Sequence, residues 1–400
     1  MDSDLWWLVA VPLSFGAGWL AARFESRSAR ARTDALPAAY FRGLNLLLDE
    51  QHEQAIDEFV NIVRLEPETV ALHFALGKLF RNRGETDRAI RVHQNLIGRS
   101  DLDPEQRVKA LHELGQDYLK AGLIDRADET FQRLAGSSYG ARALIQRLQI
   151  AQTVRDWQLA IELAQQSQLE EGVDRASEIA HCHCELAQAA LERCTSEPDQ
   201  RAHHLAQARA AIDAARSADA AHPRSWLLLG QLGEIESDPA ATLAAWQTMA
   251  QVGPAYLALV AREFVAAHET LGRLAEALEQ LEAIAAQHPS VDIFGAILDA
   301  RVKRDGAKAA LEWGRGALQA APSILGYDRL TELRLAAEPS ETERGEYELT
   351  RVLLRAQVRR LSRYQCGHCG FKARRFYWQC PGCNRWDSYA PLRSEELERG

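Results

Sequence analysis

A pattern of about 34 residues recurs through the middle of this chain, and such a period constrains the fold more than any single motif does. Gly43 and Gly77 lie 34 positions apart, as do Ala55 and Ala89. The related segments RNRGETDRAI, LKAGLIDRAD and HETLGRLAEAL begin at positions 81, 119 and 268. Each reads as the end of one helix, a glycine or polar turn, and the start of the next. The period therefore predicts a series of stacked helix pairs.

Small residues at fixed places in the pattern explain how the paired helices pack. A small residue in the first helix and an alanine in the second let the two axes approach. A larger apolar residue one turn after the alanine fills the remaining space, as Phe131 does after Ala127. The pattern resembles the tetratricopeptide repeat, including its Trp–Leu–Gly start at Trp226, Leu229 and Gly230.

We count about eight such units between residues 36 and 323. The polar stretch at 191–204 is expected to be an enlarged loop between helices. Residues 324–364 are expected to form connecting helices, the last of them rich in arginine. Arrays of this kind stack into a superhelix whose groove binds protein segments, which predicts a binding scaffold. The alternative is an array that only spaces the two ends of the chain.

Four of the seven cysteines lie near the carboxyl terminus as two CxxC pairs, ten residues apart. Two residues between thiolates let both sulfurs turn onto one ion, and Gly and Pro in the knuckles supply tight turns. Residues 365–390 are therefore predicted to form a small metal-binding ribbon, with FKARRFYW as a strand hairpin. The expected ligands are Cys366, Cys369, Cys380 and Cys383.

Four cysteines complete a tetrahedron, which predicts a structural ion with no position open to a substrate. His368 is then a knuckle residue and not a ligand. Zn²⁺ is the expected metal, although iron also fits four thiolates. The ribbon has more aromatic side chains than its few strands can use, so some are expected to pack on the last repeats. These are Phe371, Phe376, Tyr377, Trp378 and Trp386.

A second group of metal-binding residue types, HCHCE at 181–185, is expected to be part of a repeat helix. Residues two apart on a helix point in different directions, so only His181 and Cys184 could share a face. Two ligands do not close a site, and Cys194 has no partner nearby in the sequence. No P-loop, GxSxG or HExxH motif occurs, and no catalytic residues are proposed.

The amino terminus carries an uncharged stretch from Leu5 to Ala22, which predicts a transmembrane anchor over residues 1–24. The charged side chains before it, Asp2 and Asp4, are both acidic, and the linker at 25–35 is basic, so the positive-inside rule places everything that follows in the cytoplasm. A cleaved signal peptide would carry its positive charge in front, and a buried core helix is the other alternative.

Charge and cysteine usage narrow the possible functions. The net charge of −9 argues against a chain-wide nucleic-acid binder. The chain has seven cysteines, an odd number, and four of them form two CxxC pairs. This usage indicates a metal in a reducing compartment and not a disulfide framework. Two alternatives to a scaffold remain: a rubredoxin-type electron-transfer protein docked by its repeats, and a zinc ribbon that binds nucleic acid through its arginines.

The order of anchor, repeats and ribbon resembles the lipopolysaccharide assembly protein B family of Gram-negative bacteria. The resemblance rests on long runs such as LGKLFRNRGETDRAIRVHQ, LGQDYLKAGLIDRAD, EIAHCHCELA and the ending YWQCPGC. It implies a mainly helical, non-enzymatic inner-membrane adaptor, with the same four cysteines as metal ligands.

The resemblance also implies partners. Members of the family promote degradation of the lipid A deacetylase that commits carbon to lipid A, by the membrane protease FtsH. They are associated with the lipopolysaccharide transport machinery and with an inner-membrane regulator. A homo-oligomer is possible, and nucleic acid is not expected as a partner.

Overall fold

Tight turns in the left-handed region of backbone space join the helices in pairs. Gly84, with φ of 81°, and Gly122, with φ of 75°, occupy two of these turns. A side chain at such a position would be strained, which is why the sequence places glycine there. Both lie in the repeated segments from which the helix pairs are predicted, and the prediction of a mainly helical chain is confirmed.

The computed structural model describes residues 42–43, 45–46, 51–65, 69–337 and 339–398. The anchor predicted at 1–24 and the linker predicted at 25–35 lie outside these residues. Within the described ranges, no helix is both long enough and apolar enough to cross a bilayer.

Contacts between Cα atoms divide the chain into two units, residues 1–150 and 151–400. In the first unit, the described helices follow one another as the first and second members of successive helix pairs. They are α1 (His52–Leu65), α2 (Val70–Asn82), α3 (Thr86–Gly98), α4 (Pro104–Lys120), α5 (Ile124–Gln132) and α6 (Gly140–Val154), the last of which contains the unit boundary.

Glycines in the first helix of a pair allow the close packing predicted from the sequence. A Cβ atom placed on Gly115 in α4 would lie 2.6 Å from the Phe131 ring of α5. A Cβ on Gly77 in α2 would lie 2.5 Å from the ring of His93 in α3. The ring of Phe131 is 1% exposed, so it has no room to move aside for a larger neighbour.

The second unit continues the alternation of helices. Its members are α7 (Trp157–Glu171), α8 (Ala176–Ser196), α9 (Arg201–Ala218), α10 (Pro223–Glu236), α11 (Pro239–Val252), α12 (Ala261–Thr270), α13 (Leu274–Gln287), α14 (Val291–Asp305), α15 (Ala307–Ala320), α16 (Ile324–Ala336) and α17 (Glu341–Leu361). Short 3₁₀ helices lie at Pro198–Gln200 and Pro254–Leu259.

The enlarged loop expected at 191–204 is wrong. Helix α8 continues to Ser196, and α9 begins at Arg201 after a single 3₁₀ turn. The stretch is polar on its outer side, but Leu191 and Cys194 face the interior and are buried. Polar residues outnumber apolar ones because this helix pair buries only a narrow stripe.

After α17 the chain forms a ribbon of little regular structure. Strand β1 (Tyr364–Gln365) pairs antiparallel with β2 (Lys372–Ala373), and helix α18 (Ser394–Leu397) follows near the end of the described chain. The expected hairpin within FKARRFYW is thus displaced, because the first strand precedes the first cysteine. The aromatic residues at 376–378 lie outside both strands and are free to pack elsewhere.

Candidate metal centre and its dock on the repeats

The four cysteine sulfurs of the ribbon converge on one point. The Sγ atoms of Cys366, Cys369, Cys380 and Cys383 all lie within 4.8 Å of one another. Cys366 and Cys383 are separated by 3.9 Å, and Cys369 and Cys380 by 3.6 Å. A tetrahedral ion with metal–sulfur bonds of about 2.3 Å places its sulfurs about 3.8 Å apart. These spacings therefore fit one four-coordinate metal ion.

The two CxxC knuckles point backbone N–H groups at the sulfurs. The amides of His368 and Gly382 donate to the sulfurs of Cys366 and Cys380, at 3.4 Å each. Such bonds favour thiolates and hold them in place for a cation. His368 contributes through its backbone, as expected of a knuckle residue.

Hydrogen bonds and neighbouring sulfurs shift the pKa values of two of these thiols in opposite directions. Burial raises the pKa of Cys366, but hydrogen bonds from the Cys369 and His368 amides and from Ser388 lower it to about 6. The Phe371 amide lowers the pKa of Cys369, but burial and the neighbouring sulfurs raise it to about 12. Four thiolates cannot lie this close without a positive ion between them. The donor set suits one structural metal, and both zinc and iron accept it.

Two tryptophans of the ribbon pack onto the middle repeats of the second unit. Trp386 stacks on His181 of α8, with ring centroids 4.4 Å apart, and also faces Trp157 of α7 at 6.0 Å. Trp378 stacks on Tyr256 of the second 3₁₀ helix at 5.0 Å. Aromatic side chains of the ribbon therefore pack on the repeats, as predicted. However, these two tryptophans contact the middle repeats, whereas the prediction named the last ones.

Polar side chains surround these stacked rings. His181 Nε2 donates to Asp387 Oδ2 at 2.9 Å, and the His222 ring meets the His181 ring edge-on at 4.2 Å. Arg224 pairs with Glu185 at 2.8 Å and extends toward the Trp378 ring. We call these residues, together with Trp378 and Trp386, the ribbon dock.

Burial keeps the histidines of the dock neutral. It lowers the pKa of His222 to about 3, with the neighbouring His181 adding to the effect. Burial also lowers the pKa of His181, although the hydrogen bond to Asp387 opposes it. Burial would raise the pKa of Asp387, but the His181 N–H holds it below its usual range. The contact is thus a neutral imidazole N–H bound to a carboxylate, which needs no buried positive charge.

The segment after the ribbon joins the last repeats by charged contacts. Arg393 forms two hydrogen bonds to Asp292 of α14, at 2.7 and 2.9 Å, and its guanidinium lies over the Tyr364 ring. Glu395 accepts from the backbone amides of Ile324 and Leu325, at 2.6 and 3.2 Å.

Glu396 makes the equivalent contact with the Val291 amide at 2.6 Å. Two adjacent carboxylates therefore cap the amino termini of two different helices, α16 and α14. Such positions attract negative charge, because the first amides of a helix have no partner within it.

The sequence predictions account for part of this site. The structure brings the four predicted cysteines together, and it places His181 and Cys184 in a repeat helix, as expected. The role of His181 in the dock is not visible in the sequence, because Asp387 lies 206 positions away. The caps formed by Glu395 and Glu396 were also missed. Their only local signal is a run of acidic residues after the ribbon.

Fold and site together define a class of protein: a helical-repeat array with a four-cysteine ribbon docked on its own repeats. Residues 364–391 match a family model described as a rubredoxin metal binding domain. Lipopolysaccharide assembly protein B of Escherichia coli strain K12 is 32% identical over 96% of this chain and 97% of its own length. Its counterpart in Haemophilus influenzae is 27% identical over 96% of this chain and 98% of its own length. The chain belongs to the lipopolysaccharide assembly protein B family.

Solved structures of repeat proteins are more distant. A tetratricopeptide-repeat protein from Cytophaga hutchinsonii is 12% identical, with 68% of this chain and 98% of that chain covered at a TM-score of 0.36. The TPR2AB domain of yeast Sti1 is 13% identical, with 69% and 96% covered at a TM-score of 0.33. Because both scores are low, nothing further rests on these similarities.

Proposed function

We propose that this protein is a non-enzymatic adaptor in lipopolysaccharide assembly, held at the bacterial inner membrane with its repeats and ribbon in the cytoplasm. The name of its relatives supports the process, since they are lipopolysaccharide assembly proteins. The uncharged stretch at 5–22 and the arginines after it support the location and the orientation.

The observation that carries the proposal is the closed metal centre docked on the repeats. Four sulfurs fill the coordination sphere of one ion, which leaves no position for a substrate. The aromatic side chains of the ribbon contact four separate elements of the second unit, so the ion serves to hold protein surfaces together. A repeat array of this kind presents a binding surface to a partner and performs no chemistry itself.

The proposed partners follow from the family. We infer that the array brings the lipid A deacetylase to the membrane protease FtsH, and so sets the rate at which lipid A synthesis begins. The lipopolysaccharide transport machinery and an inner-membrane regulator are further proposed contacts. Tethering would raise the effective concentration of the array near such membrane proteins without any added contact.

Deletion of residues 1–24 tests the tether. We expect a folded protein that keeps its metal but no longer lowers the deacetylase level in cells. The matched control replaces residues 1–24 with an unrelated single-pass helix of the same orientation, which should restore regulation. If the deletion variant regulated the deacetylase fully, the proposal would be contradicted. It would also be contradicted if the variant with the foreign helix folded normally but did not restore regulation.

Crosslinking in intact membranes tests the partners. A photoreactive residue in the array, followed by mass spectrometry, should trap the deacetylase and the protease in wild type. Trapping of neither protein by a series of positions along both units would remove the proposed partners while leaving the tether intact.

A further inference from the structure

The outward face of α17 is apolar at its centre. Leu349, Val352 and Leu353 are 58%, 61% and 71% exposed, and Ala356 follows one turn later. Their spacing of three and four residues places all of them on one side of the helix. Repeat arrays normally end in a helix with a polar outer face, because nothing further stacks on it. An apolar stripe on this helix, the last long one after the repeats, needs a different explanation.

The stripe continues onto the neighbouring elements. Of the 13 large hydrophobic side chains exposed in the described part of the chain, six lie on α16, α17 and α18. Leu353 also borders a cavity of about 730 Å³ that is lined by Ile324 and Tyr327 of α16. A patch of this kind marks a surface that binds another molecule.

The charges on α17 are divided along its length. The amino-terminal half is mainly acidic, with Glu341, Glu343, Glu346 and Glu348 against the single Arg344. The stretch from residue 351 to residue 363 contains five arginines and no acidic residue. Arg355 and Arg359 form no ion pair within the described residues, so their charges are available to a partner. An anionic bilayer would suit the second half of the helix but would repel the first.

We propose that the occupant of this face is a second copy of the chain, with the two α17 helices antiparallel across a two-fold axis near Val352 and Leu353. In that arrangement Leu349 of each copy packs against the small Ala356 of the other. The acidic half of each helix lies along the basic half of its mate.

The two-fold axis keeps each flank of the helix beside the same flank of its mate. Glu348, Arg355 and Arg359 share one flank, at about 100° of rotation per residue. Glu348 of one copy therefore lies near Arg355 and Arg359 of the other. One helix thus provides both halves of a self-complementary surface, and the pairing needs no other protein.

Sedimentation equilibrium of the full chain in detergent micelles tests the proposal. We expect a reversible dimer in wild type. Leu353→Asp places two carboxylates at the axis and should weaken dimerisation by at least about tenfold. Leu169→Asp is the matched control, since Leu169 is an 86% exposed leucine on α7, and it should leave the dimer unchanged.

Charge reversal gives a test that does not depend on apolar packing. Glu348→Arg and Arg359→Glu each bring like charges together across the axis, and each should weaken the dimer. The two changes in one chain restore opposite charges and should restore most of the lost affinity. A merely structural role of either residue would not produce this recovery.

Three results would overturn the proposal. One is a monomer at every protein concentration, and another is a dimer that Leu353→Asp leaves intact. The third is a monomer in which residues 341–361 gain hydrogen-exchange protection in nanodiscs of anionic lipid but not of neutral lipid. That last outcome would assign the helix to the bilayer surface.

Discussion

At the scale of single residues, the ribbon dock depends on two histidines, His181 and His222, that are buried without charge. His222 is 3% exposed, and its pKa of about 3 lies below the value of about 6.5 for an unfolded histidine. Below about pH 6.5 the unfolded chain therefore binds a proton that the folded chain does not. Stability must fall as pH decreases from about 6.5 toward 3. The lowered pKa values of His181 and Asp387 act in the same direction.

We therefore predict that acid destabilises the dock through His222. The contribution of this one group approaches about 1.4 kcal/mol for each pH unit within that range. His222→Phe keeps a ring against His181 and Trp378 but cannot take up a proton, so stability should fall less steeply with decreasing pH. Urea unfolding at a series of pH values measures the difference.

The variant is compared with wild type at each pH because the metal thiolates also take up protons in acid. His203→Phe, at an exposed position on α9, should show the wild-type slope. Parallel slopes for His222→Phe and wild type would contradict the assignment.

The role of a residue can be predicted from the sequence when all of its interaction partners lie within a few positions of it. The metal knuckles are of this kind, since two residues separate the cysteines of each pair and the turn between them is local. His181 shows the opposite case. A histidine within HCHCE has the features of a packed helix residue, and its hydrogen-bond partner Asp387 becomes its neighbour only through the tertiary fold.

At the scale of elements, the end of the chain stabilises helices that lie far from it in sequence. Glu395 is buried and accepts hydrogen bonds from Ser323 Oγ and from the first amides of α16. We predict that Glu395→Ala costs about 1–2 kcal/mol of stability, as loss of a helix cap does. The loss should appear as faster hydrogen exchange in residues 324–336 and as a lower unfolding midpoint.

Glu398→Ala provides the control for this cap. Glu398 lies one turn later, is exposed, and pairs with Arg360 at 3.6 Å. Its removal should change little, because exposed ion pairs contribute about 0–1 kcal/mol. Equal effects of the two substitutions would mean that Glu395 does not act as a cap.

Several helix pairs were predictable because they carry their own signals: a glycine at the turn and a small residue at the crossing. Gly84 and Gly115 are examples of each. The stretch at 191–204 was assigned to a loop because polar residues dominate it, whereas the few buried side chains Leu191, Cys194 and His204 are enough to keep most of it helical. The strands of the ribbon were predicted at the wrong residues for a related reason. Aromatic residues favour strands, but these ones are used for docking.

At the scale of the whole molecule, the metal ion couples the folding of the ribbon to the stability of the repeats on which the ribbon is docked. The ribbon is too small to bury a core of its own, so it depends on the ion for its shape. Its two tryptophans then cover surface on α7, α8, α10 and the second 3₁₀ helix. Loss of the ion should therefore affect the repeats as well as the ribbon.

We predict that Cys380→Ser releases the metal and undocks the ribbon. Cys380 is fully buried, and a serine hydroxyl is a poor ligand for an ion bound by thiolates. The loss of stability should be at least about 3 kcal/mol, the cost of losing one well-packed tryptophan. Fluorescence of Trp378 and Trp386 should change as both rings become exposed. Elemental analysis measures the metal, and in wild type we expect one zinc per chain and a colourless protein.

Cys194→Ser tests whether the effect comes from the metal and not from the loss of a buried thiol. Cys194 is 6% exposed in α8 and lies outside the four-sulfur cluster, so this variant should keep its metal and its dock. If Cys380→Ser retained full metal content and the wild-type unfolding midpoint, Cys380 would not be a ligand on which the ion depends. Loss of metal with an unchanged midpoint would show that the ion does not hold the ribbon on the repeats, and that the stacked tryptophans and the polar contacts of Asp387 and Arg393 are enough.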